Sequence, residues 1–259
     1  MQKHLHGLRD RNLFLAALDP SELESLQPHL TPYDLCVGKR LYCCGDEIHE
    51  VIFPHSGLVA LTVPLREETG AAVLMIGSDG IVGGFAAAAS APVTCDAEVH
   101  IAGEASRMSA SAFREALDRN PGMRRAAARF QSVMLAQAQQ TALCNASHPV
   151  EARICRWLLE VHDRSGSNKV PLTQSTLAQM LGVRRTTVTL VAGRLETAGV
   201  LNCRRGFLQI QNREKLERRS CECYAQLKNH AERLAEIARR ETAPAGRLAG
   251  GRADQRAIG

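Results

Sequence analysis

Residues 172–200, LTQSTLAQMLGVRRTTVTLVAGRLETAGV, decide how this chain is read. Apolar residues fall at Leu177, Leu181, Val183, Val188 and Val191, with a small Ala178 after the first and Gly182 between the second and third. This spacing predicts two short helices crossing at a steep angle. Ala178 lets them approach, Gly182 allows the turn, and the apolar side chains fill the junction. Thr173 has the chemistry of an N-cap for the first helix. The second helix, read as Arg184 to Thr197, opens on Arg184, Arg185, Thr186 and Thr187, polar residues the junction does not need. Two cations there oppose the positive end of the helix dipole, which becomes favourable beside a phosphate backbone or a guanine edge. The segment reads as a DNA-binding helix-turn-helix whose second helix enters the major groove. The alternative, an ordinary antiparallel helix pair in an enzyme, gives the basic first turn no purpose.

The next segment, Val200–Ile210, alternates around Gly206 and predicts a β-hairpin wing with Arg204 and Arg205 near its tip. Thr173, Gln174, Arg184, Arg185, Thr186, Thr187, Thr189, Arg204 and Arg205 are therefore the residues expected to meet double-stranded DNA. Charge agrees. From Glu151 to His230 there are 14 Lys and Arg against 7 Asp and Glu, in a chain of 259 residues whose formal charge is only +5.

Upstream, Asn120-Pro121 opens a long helix that ends at the His148-Pro149 break, where a hinge is expected. Met123, Ala127, Phe130, Met134, Ala138 and Thr141 recur at spacings of three and four, with Ala126, Ala128 and Ala136 beside them. This stripe is read as the dimerisation face, although the same spacing suits a stripe buried on its own domain. Glu151 to Asp163 is a further helix with Ile154, Trp157, Leu158 and Val161 inward, followed by a polar loop, Arg164–Asn168.

Before the long helix, residues from Asn12 to Leu30 read as short helices, one started by Asp19-Pro20-Ser21-Glu22. From Thr31 to Arg107 the pattern changes to short β runs: Leu35–Tyr42, Val51–Pro54, Gly57–Val63, Ala72–Ile76, Cys95–Ile101 and Ala105–Met108. Many short strands at this spacing predict a small antiparallel barrel or sandwich. Ser109 to Leu117 is a short helix. After the wing, Asn212 caps a charged helix running to about Arg240, and the Gly-, Ala- and Arg-rich tail, residues 243–259, is expected to be disordered.

No apolar run reaches membrane-spanning length and the N-terminus lacks a signal-peptide core, so a cytoplasmic protein with no membrane partner is expected. Its nine cysteines should then be reduced thiols. A Gly-rich phosphate loop, a His-Glu metal motif and a Gly-x-Ser-x-Gly elbow are all missing, so neither enzymatic activity nor a cofactor is expected.

This order of parts resembles the catabolite-activator/fumarate-nitrate-regulator (CRP/FNR) family of bacterial transcription factors, over about Asn12 to Tyr224. The resemblance is most specific at Leu172–Ile210 and weaker at Gly77–Leu117. It implies an α+β architecture: a cyclic-nucleotide-binding-like β-roll (jelly-roll) at 1–118, a dimerisation helix at 119–148 and a winged helix-turn-helix domain at 149–242. It also implies a homodimer that reads a palindromic DNA site, with RNA polymerase as a further partner. Arg185 matches the family's guanine-reading arginine, whereas Thr186 and Leu190 stand where the family often has Glu and a second Arg.

The chain departs from the cyclic-AMP-binding members. Gly83-Gly84 aligns with their Gly-Glu pair, whose Glu takes the ribose hydroxyl, and Val93-Thr94 with the pair whose Arg takes the cyclic phosphate. A buried phosphate without that Arg loses its charge partner, so no cyclic-nucleotide effector is expected. An apolar or neutral ligand among Ile81, Val82, Gly83, Phe85, Val93 and Thr94 is the remaining pocket reading. Nor do Cys36 and Cys43-Cys44 give the ligand spacing of the family's iron–sulfur sensors. Cys221-Glu222-Cys223, with Cys203 and His230 within reach in sequence, is the best thiol cluster, but a one-residue spacer on a helix splays the two thiols apart. These cysteines read as small buried hydrophobes and no metal site is expected. A redox switch at Cys221 or Cys223 is the alternative.

Overall fold

Several helices in this chain start where a side chain satisfies the free amides of a first turn. The computed structural model describes residues 11–64 and 70–242; the tail read as disordered lies outside them. Asn12 caps α1 (Leu13–Ala16), accepting from the Leu15 amide, and Asp19 with Glu22 forms a capping box at α2 (Pro20–Leu26). Glu22 also accepts from the Gly122 amide at 2.7 Å, so one carboxylate ties this start to the start of the long helix.

The strands β1 (Thr31–Leu35), β2 (Arg40–Tyr42), β3 (Glu50–Pro54), β4 (Leu58–Val63) and β5 (Ala71–Ile76) follow, then α3 (Gly84–Ala89), β6 (Asp96–Ile101) and β7 (Gly103–Ser109). They form two antiparallel sheets, ordered β1-β7-β3 and β2-β6-β4-β5. The run read as one strand, Leu35–Tyr42, is broken between β1 and β2, where Gly38 turns the chain at φ 79°. Pro32 and Pro54 both lie on edge strands, where a missing amide costs no ladder bond.

Strand β4, LVALTV, has almost no polar alternation because both of its faces are covered. Val59 and Leu61 point into the core of the roll with Leu35, Phe53 and Val99. Leu58 and Ala60 point the other way, with Met75 and Ile101, onto Trp157, Leu158 and Leu181 of the C-terminal half. The outer face of this sheet is the floor on which that half sits.

Helix α4 (Ala110–Arg119), capped by Ser109, leads into α5 (Pro121–Ser147). Here the structure corrects the reading of the long helix. Met123, Phe130, Met134 and Thr141 are buried and Ala127 and Ala138 half-buried, all facing this chain's own body. Phe130 stacks on Phe85 at 5.5 Å and lies so close to Gly80 that a Cβ there would collide with its ring. The reason is that the open end of the roll needs an apolar lid, and this stripe supplies it. The face turned outward carries Ala128, Leu135, Gln139, Ala142 and Ala146 at steps of seven, four, three and four, the 3.5-residue period of a helix pair.

The chain leaves α5 at His148 and starts α6 (Val150–Ser165) after Pro149. β8 (Lys169–Val170), α7 (Gln174–Leu181), α8 (Arg185–Thr197), β9 (Leu201–Arg204) and β10 (Phe207–Ile210) complete the C-terminal half, with β8-β10-β9 as a small sheet. The charged helix after Asn212 is two helices, α9 (Arg213–Arg219) and α10 (Cys223–Thr242), separated at Ser220-Cys221-Glu222. α10 runs back along α5, where Arg129 pairs with Glu241 and Ser132 meets His230 at 3.4 Å. Among the described residues, no helix is long and apolar enough to cross a membrane.

Candidate nucleic-acid interface

The helix-turn-helix forms from the interactions its residue types allow. Thr173 Oγ1 accepts from the Thr176 amide at 3.0 Å, Gly182 ends α7 at φ 60°, and the Val183 amide donates back to the Ala178 carbonyl at 3.0 Å. Leu177, Ala178, Leu181, Val188 and Val191 are buried at the junction. Arg184, in extended backbone, precedes the first turn of α8, and its side chain makes no capping bond.

Arg184, Arg185, Thr186 and Thr189 are exposed and Thr187 is half-buried. The wing returns to the same region: Arg204 pairs with Phe207 across the β9–β10 ladder, and Arg205 and Gly206 make the turn, with Gly206 at φ 86°. The third strand β8 was not readable in the sequence, because two residues carry no period. It places exposed Lys169 with its Nζ 4.3 Å from the centre of the Phe207 ring.

The electrostatics single this face out. Several other arginines of the C-terminal half are neutralised: Arg164 by Asp79, Arg194 and Arg219 by Glu151, Arg213 by Asp163. Among the described residues, the guanidinium groups of Arg184, Arg185, Arg204 and Arg205 have no ion pair. From Lys169 to Asn212 there are six basic residues and one acid, Glu196, whose carboxylate accepts from the Cys203 amide at 3.1 Å. An uncompensated cationic patch of this kind attracts a polyanion, and its short, exposed helix start can enter a groove. Two expected DNA-facing residues are partly engaged already: Thr189 Oγ1 donates to Gln174 Oε1 at 2.8 Å, bracing α7 against α8.

The comparisons with known proteins agree with this geometry. Residues 152–219 match the family model of the Crp-like helix-turn-helix domain. Solved structures similar in fold include FixK2 from Bradyrhizobium japonicum, 18% identical, covering 74% of this chain and 98% of that one with a TM-score of 0.64. A second is the c-di-GMP responsive global regulator CLP of Xanthomonas campestris, 17% identical, covering 75% and 100% with a TM-score of 0.63. A third, a CRP/FNR-family transcriptional regulator from Thermus thermophilus, is 20% identical, covering 73% and 98% with a TM-score of 0.61. No curated protein sequence matches the chain. The chain thus shares the fold of these CRP/FNR-type regulators, and its residues 152–219 match a Crp-like helix-turn-helix domain.

Ile81, Val82 and Val93 are buried, Phe85 is spent on Phe130, Gly83 is half-buried and Thr94 is exposed. Val82 lines a cavity of about 380 Å³ with Tyr33, Tyr42, Glu47, His49 and Glu50. The cysteines fall differently from the sequence reading. Cys203 lies on the wing and His230 two turns into α10, whereas Cys221 and Cys223 meet Cys144 and His148 from the far end of α5. The thiols do not splay, because Cys221 precedes the helix that Cys223 begins.

Proposed function

We propose that this chain is a homodimeric transcription regulator that reads a palindromic double-stranded DNA site without a cyclic-nucleotide effector. The observation that carries the DNA reading is the set of four arginines, Arg184, Arg185, Arg204 and Arg205, left without carboxylate partners among the described residues. Arg185, in the first turn of α8, would read a base, and Arg204 and Arg205, on the wing, would take phosphate. Pairing of two copies along Ala128, Leu135, Gln139 and Ala142 would present two such faces to adjacent half-sites. RNA polymerase is then the further partner on which a bound dimer acts.

The cyclic-nucleotide part rests on the alignment positions. A Cβ at Gly84 would lie 2.3 Å from the Ile81 Cδ1, so the family's ribose-binding Glu has no room there without repacking. Val93, at the phosphate position, is buried and apolar. Selection of duplexes from a random pool, followed by affinity measurements at several salt concentrations with and without cyclic AMP, tests the whole reading. A selected palindrome, a steep negative salt slope and no nucleotide effect are expected. Failure to enrich any sequence, or a large cyclic AMP effect, contradicts it.

A further inference from the structure

Where α9 gives way to α10 the chain unwinds through Ser220, Cys221 and Glu222, and this break lies against the end of α5. Four side chains converge there. The ligand atoms of Cys144, His148, Cys221 and Cys223 all lie within 4.8 Å of one another; the three cysteines are buried and His148 is half-buried. Cys144 Sγ is 3.5 Å from Cys221 Sγ, and Cys223 Sγ is 3.5 Å from His148 Nδ1. A tetrahedral zinc ion, with Zn–S about 2.3 Å and Zn–N about 2.0–2.1 Å, holds sulfurs about 3.8 Å apart and sulfur from nitrogen about 3.6 Å apart. We propose that Cys144, His148, Cys221 and Cys223 are a Cys3His site for a divalent ion of the zinc class, joining the end of α5 to the start of α10.

Two further features point to a ligand. His148 Nε2 is 3.3 Å from Glu222 Oε1. A carboxylate at that distance holds the proton on Nε2 and leaves the Nδ1 lone pair facing the sulfurs, as carboxylates do behind metal-bound histidines. Arg153 and Arg156 of α6 are both buried beside Cys144 and Cys221, and each has an Nε with no hydrogen-bond partner among the described residues. Binding a divalent ion releases three thiol protons to solvent and leaves the site with one net negative charge, which the Arg153 guanidinium can offset, since Arg156 is already paired with Glu160 at 2.5 Å.

The geometry separates this site from two other thiol chemistries. A Cys144–Cys221 disulfide would draw its sulfurs to about 2.05 Å and leave Cys223 and the oriented imidazole unused. A two-iron cluster spreads its four protein ligands over two metal centres, whereas these four donors surround one point. Because His148 is also the residue where α5 ends before Pro149, an ion here fixes the angle at which the DNA-binding half leaves α5. It also anchors the helix that runs back along α5.

The test uses the full chain, purified without chelator under anaerobic conditions from zinc-supplemented cells, with metals counted by mass spectrometry. One zinc per chain is expected. Cys221→Ser and His148→Ala should lower that occupancy at least tenfold, while Cys203→Ser, on the wing, should retain it. If the cluster variants fail to fold, titrating cobalt into chelator-treated wild-type protein decides the matter. Intense visible bands of tetrahedral thiolate cobalt, with three protons released per ion, support the site. Protein without stoichiometric metal, weak octahedral cobalt bands, iron with labile sulfide, or a Cys144–Cys221 disulfide in anaerobically handled protein each overturn it.

Discussion

Arg164 Nε donates to Asp79 Oδ2 at 2.9 Å, tying the last turn of α6 to the tight turn after β5. Asp79 is held in place by the Gly77 amide, which donates to its other oxygen at 2.8 Å. Burial opposes the Arg164 charge, and Asp79 and then Glu160 restore it. The pair bridges the roll and the C-terminal half, and with Leu13, Val133, Gln137, Tyr224 and Leu227 it lines a cavity of about 420 Å³. Removing one partner of a charge-assisted hydrogen bond costs about 1–3 kcal/mol. Asp79→Ala and Arg164→Ala should each destabilise the chain by that order, and a double-mutant cycle in urea should show coupling. Additive effects would mean that the ion pair does not join the two halves.

The two faces of α5 separate by mutation. Phe130→Ala opens the lid of the roll and should cost about 3–5 kcal/mol of stability. Leu135 is 59% exposed, so Leu135→Glu should leave the melting temperature of the monomer nearly unchanged while abolishing self-association. Sedimentation combined with thermal melting reads both. A Leu135→Glu protein that still dimerises would place the interface elsewhere.

Much of this was legible in the sequence, for a physical reason. Caps, turns and junction residues act locally, so Thr173, Gly182, Asn212 and the His148-Pro149 break stand where the residue types put them. Periodicity showed that α5 has an apolar stripe, but not what covers it. Both a partner helix and the chain's own roll select the same spacing, and only the position of Phe85 and Gly80 decides between them. The thiol cluster was hidden differently. Its halves are 77 residues apart, and its convergence depends on an unwound Ser220–Glu222 that no breaker residue announces. The docking of α7 on β5, where a Cβ on Gly182 would lie 3.1 Å from the Ala71 Cβ, likewise has no local signal.

Thiol reactivity should follow burial. Cys155 is fully buried, and burial first, then Glu151, pushes its thiol up to about 12. Native protein treated with iodoacetamide at pH 8 should be labelled at the exposed Cys36 and Cys44 and not at Cys155. Rapid labelling of Cys155 in folded protein would mean that α6 opens far more readily than its packing implies.

Acid should weaken the roll. Burial lowers the His100 pKa below its ordinary 6.5, against a smaller opposing effect of Glu98. The folded state therefore resists protonation there. The stability due to neutral His100 is complete above the ordinary value and is lost as pH falls through the folded one. Between pH 7 and 5 the melting temperature of the wild type should fall more steeply than that of His100→Gln. Parallel pH curves would show that His100 does not contribute.

The central claim is that α8 reads bases while the wing holds phosphate. It is tested most directly by titrating salt against Arg185→Ala and Arg204→Ala on a selected duplex and on a scrambled one. Arg185→Ala should weaken binding by about 1–3 kcal/mol per half-site on the selected duplex and by much less on the scrambled one. Arg204→Ala should weaken both alike and flatten the salt slope by about one unit for each phosphate that is no longer neutralised. Equal weakening of Arg185→Ala on the two duplexes would contradict the account and make Arg185 a phosphate clamp.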